Sequence, residues 1–282
     1  MSGQRVRLDI AYCGSDFHGW AAQPGLRTVE GTIAQALATI VRTPVRLTVA
    51  GRTDAGVHAC GQVANVDFAQ DVWVGLPGRS QRTPEEALLS RLCGVLAQQT
   101  QGRRDVVIRG VSAVPQTFDA RFSALGRHYR YLMSDTVRTA CPWRLDVAEH
   151  RRGLDVEAMA RAAHRLLGEH DFLPFAKPRE GATTIRTLKQ LDVTRTASGL
   201  VEFRLHADAF CHSQVRFMVG ALTRVGEGQR CEDWIGEVLA AGVRDPAVPL
   251  APARGLTLVG VDYPDEADYA EQARRARVVR SL

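Results

Sequence analysis

One segment combines residue types that could do chemistry: residues 51–58 read GRTDAGVH. Two glycines bracket an Arg-Thr-Asp core, an arrangement that places a charged side chain on a tight loop. Arg52 and Asp54 are two positions apart, so in an extended backbone they share a face and can pair. An arginine that close would keep the carboxylate ionised at neutral pH. The pattern fits a catalytic carboxylate at Asp54, and it also fits a surface turn with an incidental ion pair.

Strand and helix patterns surround this segment. Apolar and polar residues alternate over 6–12, which predicts a half-buried strand. A helix is expected over about 28–42, and a second alternating strand over 45–49 runs into Gly51. The candidate carboxylate would therefore lie on a loop directly after a strand. The residues TPEE at 83–86 predict a further helix that opens with a capping box.

The second half of the chain has the same mixture of short strands and helices. Strands are expected over 129–133, 188–194, 201–207 and 256–263, and helices over 156–167, 216–225 and 233–241. Because no regular βαβ alternation is visible, we predict an α+β fold of two α/β subdomains with largely antiparallel sheets. We place the N-terminal subdomain at 1–111, the C-terminal subdomain at 112–264 and a charged tail, a surface helix or a frayed end, at 265–282.

The charge is positive and is carried almost entirely by arginine. The formal net charge is +5, and Lys177 and Lys189 are the only lysines among 36 basic residues. Guanidinium groups bind phosphate in a bidentate manner and stack on bases, so one interpretation is a polyanionic partner such as a nucleic acid. The other is a coding bias that favours arginine.

Several classes of protein are disfavoured. The six cysteines form no CxxC pair and no Cys/His cluster with zinc-finger spacing, so no metal site is predicted. Neither a Rossmann fingerprint nor a Walker loop is present, and no cofactor is expected. No apolar run approaches a membrane span, and the N-terminus lacks an apolar signal region. We therefore expect a soluble cytoplasmic protein without a membrane partner.

The octapeptide at 51–58 resembles the signature of the TruA family of tRNA pseudouridine synthases, and the match is unbroken. Other segments are similar to that family in the same order. They are YCGSDFHGW at 12–20, RTVEG at 27–31, FDARFSA at 118–124 followed by YRY at 129–131, Phe210 with VRFMVG at 215–220, and APARGLTL at 251–258. The resemblance spans residues 5–264. Cys13 replaces the usual Asp, and the stretches 75–82 and 95–107 depart from the family pattern, which puts RNA contacts or loop shape in doubt more than chemistry.

The resemblance implies a fold, an activity and partners. The two α/β subdomains would meet in a central basic cleft, and a homodimer would bind tRNA. The chain would be an isomerase that converts uridine to pseudouridine, at uridines 38–40 on the 3′ side of the anticodon stem-loop. This reaction exchanges no electrons, so one positioned carboxylate can suffice, either as a nucleophile on sugar or base or as a base that removes a ribose proton.

The resemblance also implies roles for individual residues. Asp54 would be the catalytic carboxylate, with Arg52 in support and Arg216 beside it. Tyr129 would contact the flipped uridine, where an aromatic ring compensates for lost base stacking. Leu256 and Leu258 would line the pocket, or else belong to the core. We expect His58 to form a structural hydrogen bond rather than to act as an acid or a base.

Three alternatives remain open at this stage. One is a catalytically silent RNA-binding protein, against which the intact Arg-Thr-Asp core argues. The second is an enzyme of small nucleosides, which the arginine-rich charge disfavours. The third is a pseudouridine synthase that acts on other tRNA positions or on another RNA.

Overall fold

The computed structural model describes residues 3–178 and 183–278. Within this part of the chain, seven α-helices accompany ten β-strands. The helices are α1 (Val29–Val41), α2 (Gln70–Gly75), α3 (Pro84–Gln99), α4 (Val156–Ala163), α5 (Gln214–Gly226), α6 (Trp234–Ala240) and α7 (Tyr269–Ala276). The strands are β1 (Gln4–Tyr12), β2 (Thr48–Val49), β3 (His58–Phe68), β4 (Val106–Val114), β5 (Gly126–Ser134), β6 (Ala148–Glu149), β7 (Gly168–Asp171), β8 (Ile185–Arg195), β9 (Val201–Ala207) and β10 (Leu256–Asp262).

The described residues divide into two compact units, which differ from the predicted subdomains. The first comprises residues 3–125 together with 260–277, and the second comprises 126–259. Residues 112–125 stay with the first unit because β4 pairs with β1 as far as Val114, and because Phe118 packs on Tyr269. The segment predicted as a separate tail therefore contributes α7 to the first unit. The last four residues of that tail lie outside the described part.

The first unit is built on strand β1, which pairs antiparallel with β3 on one side and β4 on the other. Val6, Leu8, Ile10 and Tyr12 are buried at alternate positions of β1, as the pattern predicted. The predicted strand over 45–49 is reduced to the two residues of β2, which pair with β3. Strand β3 was not predicted, because it is buried along most of its length and so lacks clear alternation.

Two capped helices pack beside this sheet. Thr28 caps α1 by accepting a hydrogen bond from the Gly31 N–H. Thr83 and Glu86 form the predicted capping box of α3, with distances of 3.2 and 2.9 Å for its two hydrogen bonds. These bonds satisfy N–H groups that the first helical turn leaves without partners. The two helix starts are therefore confirmed.

The second unit contains a sheet in the order β5–β9–β8–β7, antiparallel throughout, with β6 parallel to β5. Helix α5 is buried on almost every side, although Arg216 stays partly exposed. Helix α4 ends at Ala163 and continues as a 3-10 turn to Leu166, earlier than predicted, because Gly168 adopts a φ of 108° where β7 begins. The predicted α+β class with largely antiparallel sheets is confirmed. Among the described residues, no helix combines the length and apolarity needed to cross a membrane.

Candidate active site

The loop that carries Asp54 connects β2 to β3 in the first unit. Thr53 is buried, Asp54 is half-buried and Arg52 is exposed. The Val57 N–H donates a hydrogen bond of 3.2 Å to the Asp54 carbonyl and so closes a turn immediately after the carboxylate. Gly56 supplies the left-handed φ of 78° within this turn. Asp54 thus belongs to a closed turn and is half-buried there.

Backbone hydrogen bonds hold the loop on both sides of Asp54. The Trp20 N–H donates to the Thr53 carbonyl at 3.0 Å, and the Gly56 N–H donates to the Phe17 carbonyl at 3.3 Å. Gly19 makes this approach possible, since a Cβ there would lie 2.9 Å from the Thr53 carbonyl oxygen. The segment 12–20 and the segment 51–58 therefore form one packed structure.

A buried polar pair supports the loop from inside the unit. The hydroxyl groups of Tyr12 and Thr53 are 2.8 Å apart, and the Gln62 amide donates to both the Tyr12 hydroxyl and the Gly51 carbonyl. The sequence does not predict a site role for Tyr12 or Gln62. The available signal was an amide side chain inside a strand whose neighbours are mostly apolar.

The expected ion pair between Arg52 and Asp54 is absent from the described residues. The Arg52 side chain lies in solvent, where an ion pair gains little and ordering a long side chain costs entropy. Asp54 has other interactions. Arg52 therefore stays exposed on the same loop.

Cys13 and His58 lie next to the loop. The Gly14 N–H donates to Nδ1 of His58 at 3.1 Å, so this histidine forms a structural hydrogen bond, as expected. Hydrogen bonding with His58 lowers the pKa of the Cys13 thiol to about 7, although partial burial opposes the shift. Cys13 therefore differs from Cys211 of the second unit, where burial raises the thiol pKa to about 11.

In the second unit, Arg216 is anchored to residue 251. Its Nε–H donates to the Ala251 carbonyl at 2.8 Å, and the Ala251 N–H donates back to the Arg216 carbonyl at 3.1 Å. Ser213, just before α5, adopts a left-handed φ of 60°, which is uncommon for a residue other than glycine. The helix start, the arginine and the segment 251–258 are thus held together.

Tyr129 lies on β5 and is half-buried. Its ring meets the Phe210 ring edge to face, with centroids 5.1 Å apart, an arrangement that aromatic pairs favour. Burial raises the pKa of the neighbouring Tyr131 above its usual range, and the Tyr131 hydroxyl donates to the Pro252 carbonyl at 3.0 Å. Tyr129 thus presents a partly exposed ring, whereas Tyr131 is a packing residue.

Leu256 and Leu258 are both buried, with exposed fractions of 6% and 0%. Such burial is what a core residue shows. Their contact with a substrate remains a prediction.

Comparison with known proteins adds a second kind of observation. A family model described as tRNA pseudouridine synthase matches residues 162–264. A relative from Frankia casuarinae is 52% identical and covers 98% of this chain and 95% of its own length. Relatives from Streptomyces avermitilis and Mycobacterium leprae are 48% and 45% identical, covering 99% and 98% of this chain and 94% and 96% of theirs. All three are named tRNA pseudouridine synthase A.

The chain belongs to the tRNA pseudouridine synthase A family. This is an isomerase family, and the resemblance inferred from residues 51–58 and the other motifs is confirmed. A weaker structural likeness is found to the archaeal box H/ACA sRNP Nop10-Cbf5 complex. Its TM-score is 0.37 at 11% identity, over 94% of this chain and 54% of that chain.

The motifs shared with the family lie in both units of the structure. The unbroken family signature forms the closed loop with Asp54 and Arg52 in the first unit. Tyr129 and Arg216 belong to motifs of the second unit, and each is fixed by neighbours that also belong to family motifs. The structure therefore explains how the chain holds these side chains, while their roles remain a proposal.

A first prediction concerns the approach of Gly19 to the loop. Gly19→Ala should destabilise the protein in two ways, through the left-handed φ of 87° and through overlap with the Thr53 carbonyl. Gly25→Ala is the matched control, because Gly25 has a φ of 72° and an added Cβ there would have no atom within 4 Å. Strain alone should cost Gly25→Ala about 1–2 kcal/mol. Gly19→Ala should cost about 1–3 kcal/mol more.

The measurement is the free energy of unfolding of both variants from urea denaturation. Equal losses in the two variants would show that the loop yields to the added methyl group.

A second prediction concerns the Cys13 thiol. Since the thiolate is the nucleophile, alkylation of Cys13 by iodoacetamide should rise with pH to half its maximum near its pKa of about 7. Cys211, with a pKa of about 11, should stay almost unmodified in the same samples. Peptide mass spectrometry after short exposures at each pH measures both sites. His58→Gln should move the Cys13 midpoint upward, towards the ordinary thiol value of about 8.5; an unmoved midpoint would contradict the assigned cause.

Proposed function

We propose that this chain converts uridine to pseudouridine at positions 38–40 of the tRNA anticodon stem-loop, with Asp54 as the catalytic carboxylate. The observation that carries the proposal is the similarity to relatives named tRNA pseudouridine synthase A, which is 52% identity over 98% of the chain in the Frankia casuarinae case. The unbroken signature around Asp54 and the fixed turn that holds this residue support its role.

The reaction requires a positioned carboxylate and no cofactor. The N1–C1′ bond of uridine breaks, the base turns, and a C5–C1′ bond forms. N1 gains a proton and the hydrogen on C5 leaves to solvent, so atoms and electrons balance without a cofactor. The Asp54 carboxylate acts either as a nucleophile on sugar or base, or as a base that removes a ribose proton.

The other named residues handle the substrate. The Tyr129 ring stacks on the uridine that has left the RNA helix, and the Phe210 ring holds Tyr129 at the angle observed. Arg216 orients a carboxylate or phosphate with its guanidinium, which the Ala251 carbonyl keeps in one rotamer. Exposed Arg52 contacts the RNA backbone.

The partners follow from the same chemistry. A net charge of +5 carried mainly by arginine suits a tRNA backbone. The protein acts as a homodimer in the cytoplasm, where its tRNA substrate is found.

A third prediction tests Asp54. Asp54→Asn keeps the side-chain shape and removes the negative charge, so pseudouridine formation should fall by at least about 100-fold. Binding of tRNA should change little, because the phosphate contacts remain. Release of tritium from C5-labelled uridine in tRNA measures turnover, and filter binding measures affinity. Asp71→Asn, on an exposed first turn of α2, is the control and should react as the parent does.

The proposal fails if Asp54→Asn turns over within tenfold of the parent. Mapping of pseudouridine in the product tRNA then decides the position, since modification outside 38–40 would contradict the anticodon assignment.

A fourth prediction separates stacking from proton transfer at Tyr129. Tyr129→Phe keeps the ring and should retain a single-turnover rate within about threefold of the parent. Tyr129→Leu should lose about tenfold or more, since stacking contributes about 1–3 kcal/mol per base. An inactive Tyr129→Phe that still binds tRNA would instead assign a proton to the hydroxyl. Parent-like rates in both variants would make Tyr129 a packing residue.

A further inference from the structure

A fully buried hydrogen-bond network adjoins Asp54. It consists of Tyr12, Thr53 and Gln62, whose exposed fractions are 5%, 7% and 0%. The Tyr12 and Thr53 hydroxyls are 2.8 Å apart, and the Gln62 Nε2 lies 3.2 Å from the Tyr12 hydroxyl and 2.8 Å from the Gly51 carbonyl oxygen. The Val63 N–H donates to Gln62 Oε1 at 3.2 Å. Both ends of the Gln62 amide are thereby occupied.

Two hydroxyl groups share one hydrogen bond in this network, and either Tyr12 or Thr53 can be its donor. Burial raises the pKa of Tyr12 to about 12, so its hydroxyl keeps its hydrogen at neutral pH. The Gln62 amide can only donate to the Tyr12 oxygen. Whichever hydroxyl group donates, the loss of either one removes the hydrogen bond between Tyr12 and Thr53.

Hydrogen bonds from this network and from Trp20 hold the chain at three points on the N-terminal side of Asp54. Gln62 holds the Gly51 carbonyl, Tyr12 holds the Thr53 side chain, and the Trp20 N–H holds the Thr53 carbonyl. The turn closed by Val57 holds the C-terminal side. Because Asp54 directly follows Thr53, rotation of Thr53 would turn the carboxylate away from its present direction.

Filling the buried space does not require the hydroxyl groups of Tyr12 and Thr53. Phenylalanine and valine would fill nearly the same space as Tyr12 and Thr53 without needing any hydrogen bond. A hydrogen-bonded polar network inside a core adds orientation, and each of these three side chains has at least one hydrogen-bond partner. A catalytic group must be held within about 0.5 Å of its productive place by neighbours whose own rotamers are fixed.

We infer that Tyr12 and Gln62 are positioning residues: through Thr53 and Gly51 they hold the Asp54 carboxylate in the orientation that the isomerisation requires. This inference rests on the proposed function of Asp54. Neither residue need touch the RNA.

The test compares variants that differ by one hydroxyl group. Thr53→Val is close in shape to the parent but cannot form the hydrogen bond with Tyr12. Its single-turnover rate should fall by about 100-fold, the loss expected from a displacement of about 1 Å. Thr53→Ser keeps the hydroxyl group and should retain most of the parent rate. Tyr12→Phe removes the same hydrogen bond from the other side and should resemble Thr53→Val. The Kd for tRNA should stay within about twofold of the parent in all three.

The double variant Tyr12→Phe with Thr53→Val tests whether one bond is responsible. If it is, the double variant should be no slower than the slower single variant, because the second change removes nothing further. Tyr263→Phe is the matched control, since its hydroxyl donates to the Ala120 carbonyl at 2.7 Å in the same unit. It should lower the melting temperature without altering the rate.

The outcomes separate this inference from the proposed function. If the parent forms pseudouridine, Asp54→Asn does not, and Tyr12→Phe and Thr53→Val keep rates within twofold of the parent, the network is structural and the inference is overturned alone. Fully additive losses in the double variant also overturn it. A parent without activity on tRNA overturns the proposed function and the inference with it. Should Thr53→Val fail to fold, Tyr12→Phe and Thr53→Ser still decide, because each changes fewer contacts.

Discussion

The antiparallel pairing of β1 with β3 is the interaction on which the Asp54 loop depends. Ile10 lies opposite Gln62, but Tyr12 lies opposite Ala59, so β3 has one more residue than β1 between these pairs. Such a bulge redirects side chains, and bulges are common beside active sites. Here it accompanies the contact of Gln62 with both the Tyr12 hydroxyl and the Gly51 carbonyl. The bulge in β3 lies a few residues after the Asp54 loop, and the hydrogen bonds of Gln62 beside it hold the loop in place.

Local patterns in the sequence were sufficient to predict strand β1 and the start of helix α3 in the first unit. Alternation located β1, and the residues at 83–86 located the start of α3, because both signals depend on near neighbours in the chain. Strand β3 gave no such signal, since burial on both faces removes the alternation. The compact units divide after Leu125, whereas the predicted boundary is at 111; the contact between Phe118 and Tyr269, which joins residues far apart in sequence, has no local signal.

The candidate site was accessible to sequence reasoning only in part. Residue chemistry alone left Asp54 undecided between a catalytic carboxylate and a surface turn, and the family resemblance supplied the preference. The same reasoning expected a pair between Arg52 and Asp54 from their spacing, although solvent exposure leaves such a pair with little free energy to gain. The role of Gln62 could not be predicted from sequence, because strand pairing in the sheet is what brings Tyr12 and Gly51 into contact with it. Hydrogen-bond networks of this kind become visible only in three dimensions.

The return of the chain to the first unit has a consequence for synthesis on the ribosome. Tyr263 and Tyr269 contact Phe118 in the core of that unit, and both are translated after the whole of residues 126–259. Since domains generally fold as units during synthesis, the second unit can complete its core while the first still lacks two of its aromatic residues. The core of the first unit would therefore stay incomplete until residues 260–277 have emerged, although residues 3–125 are translated before the second unit.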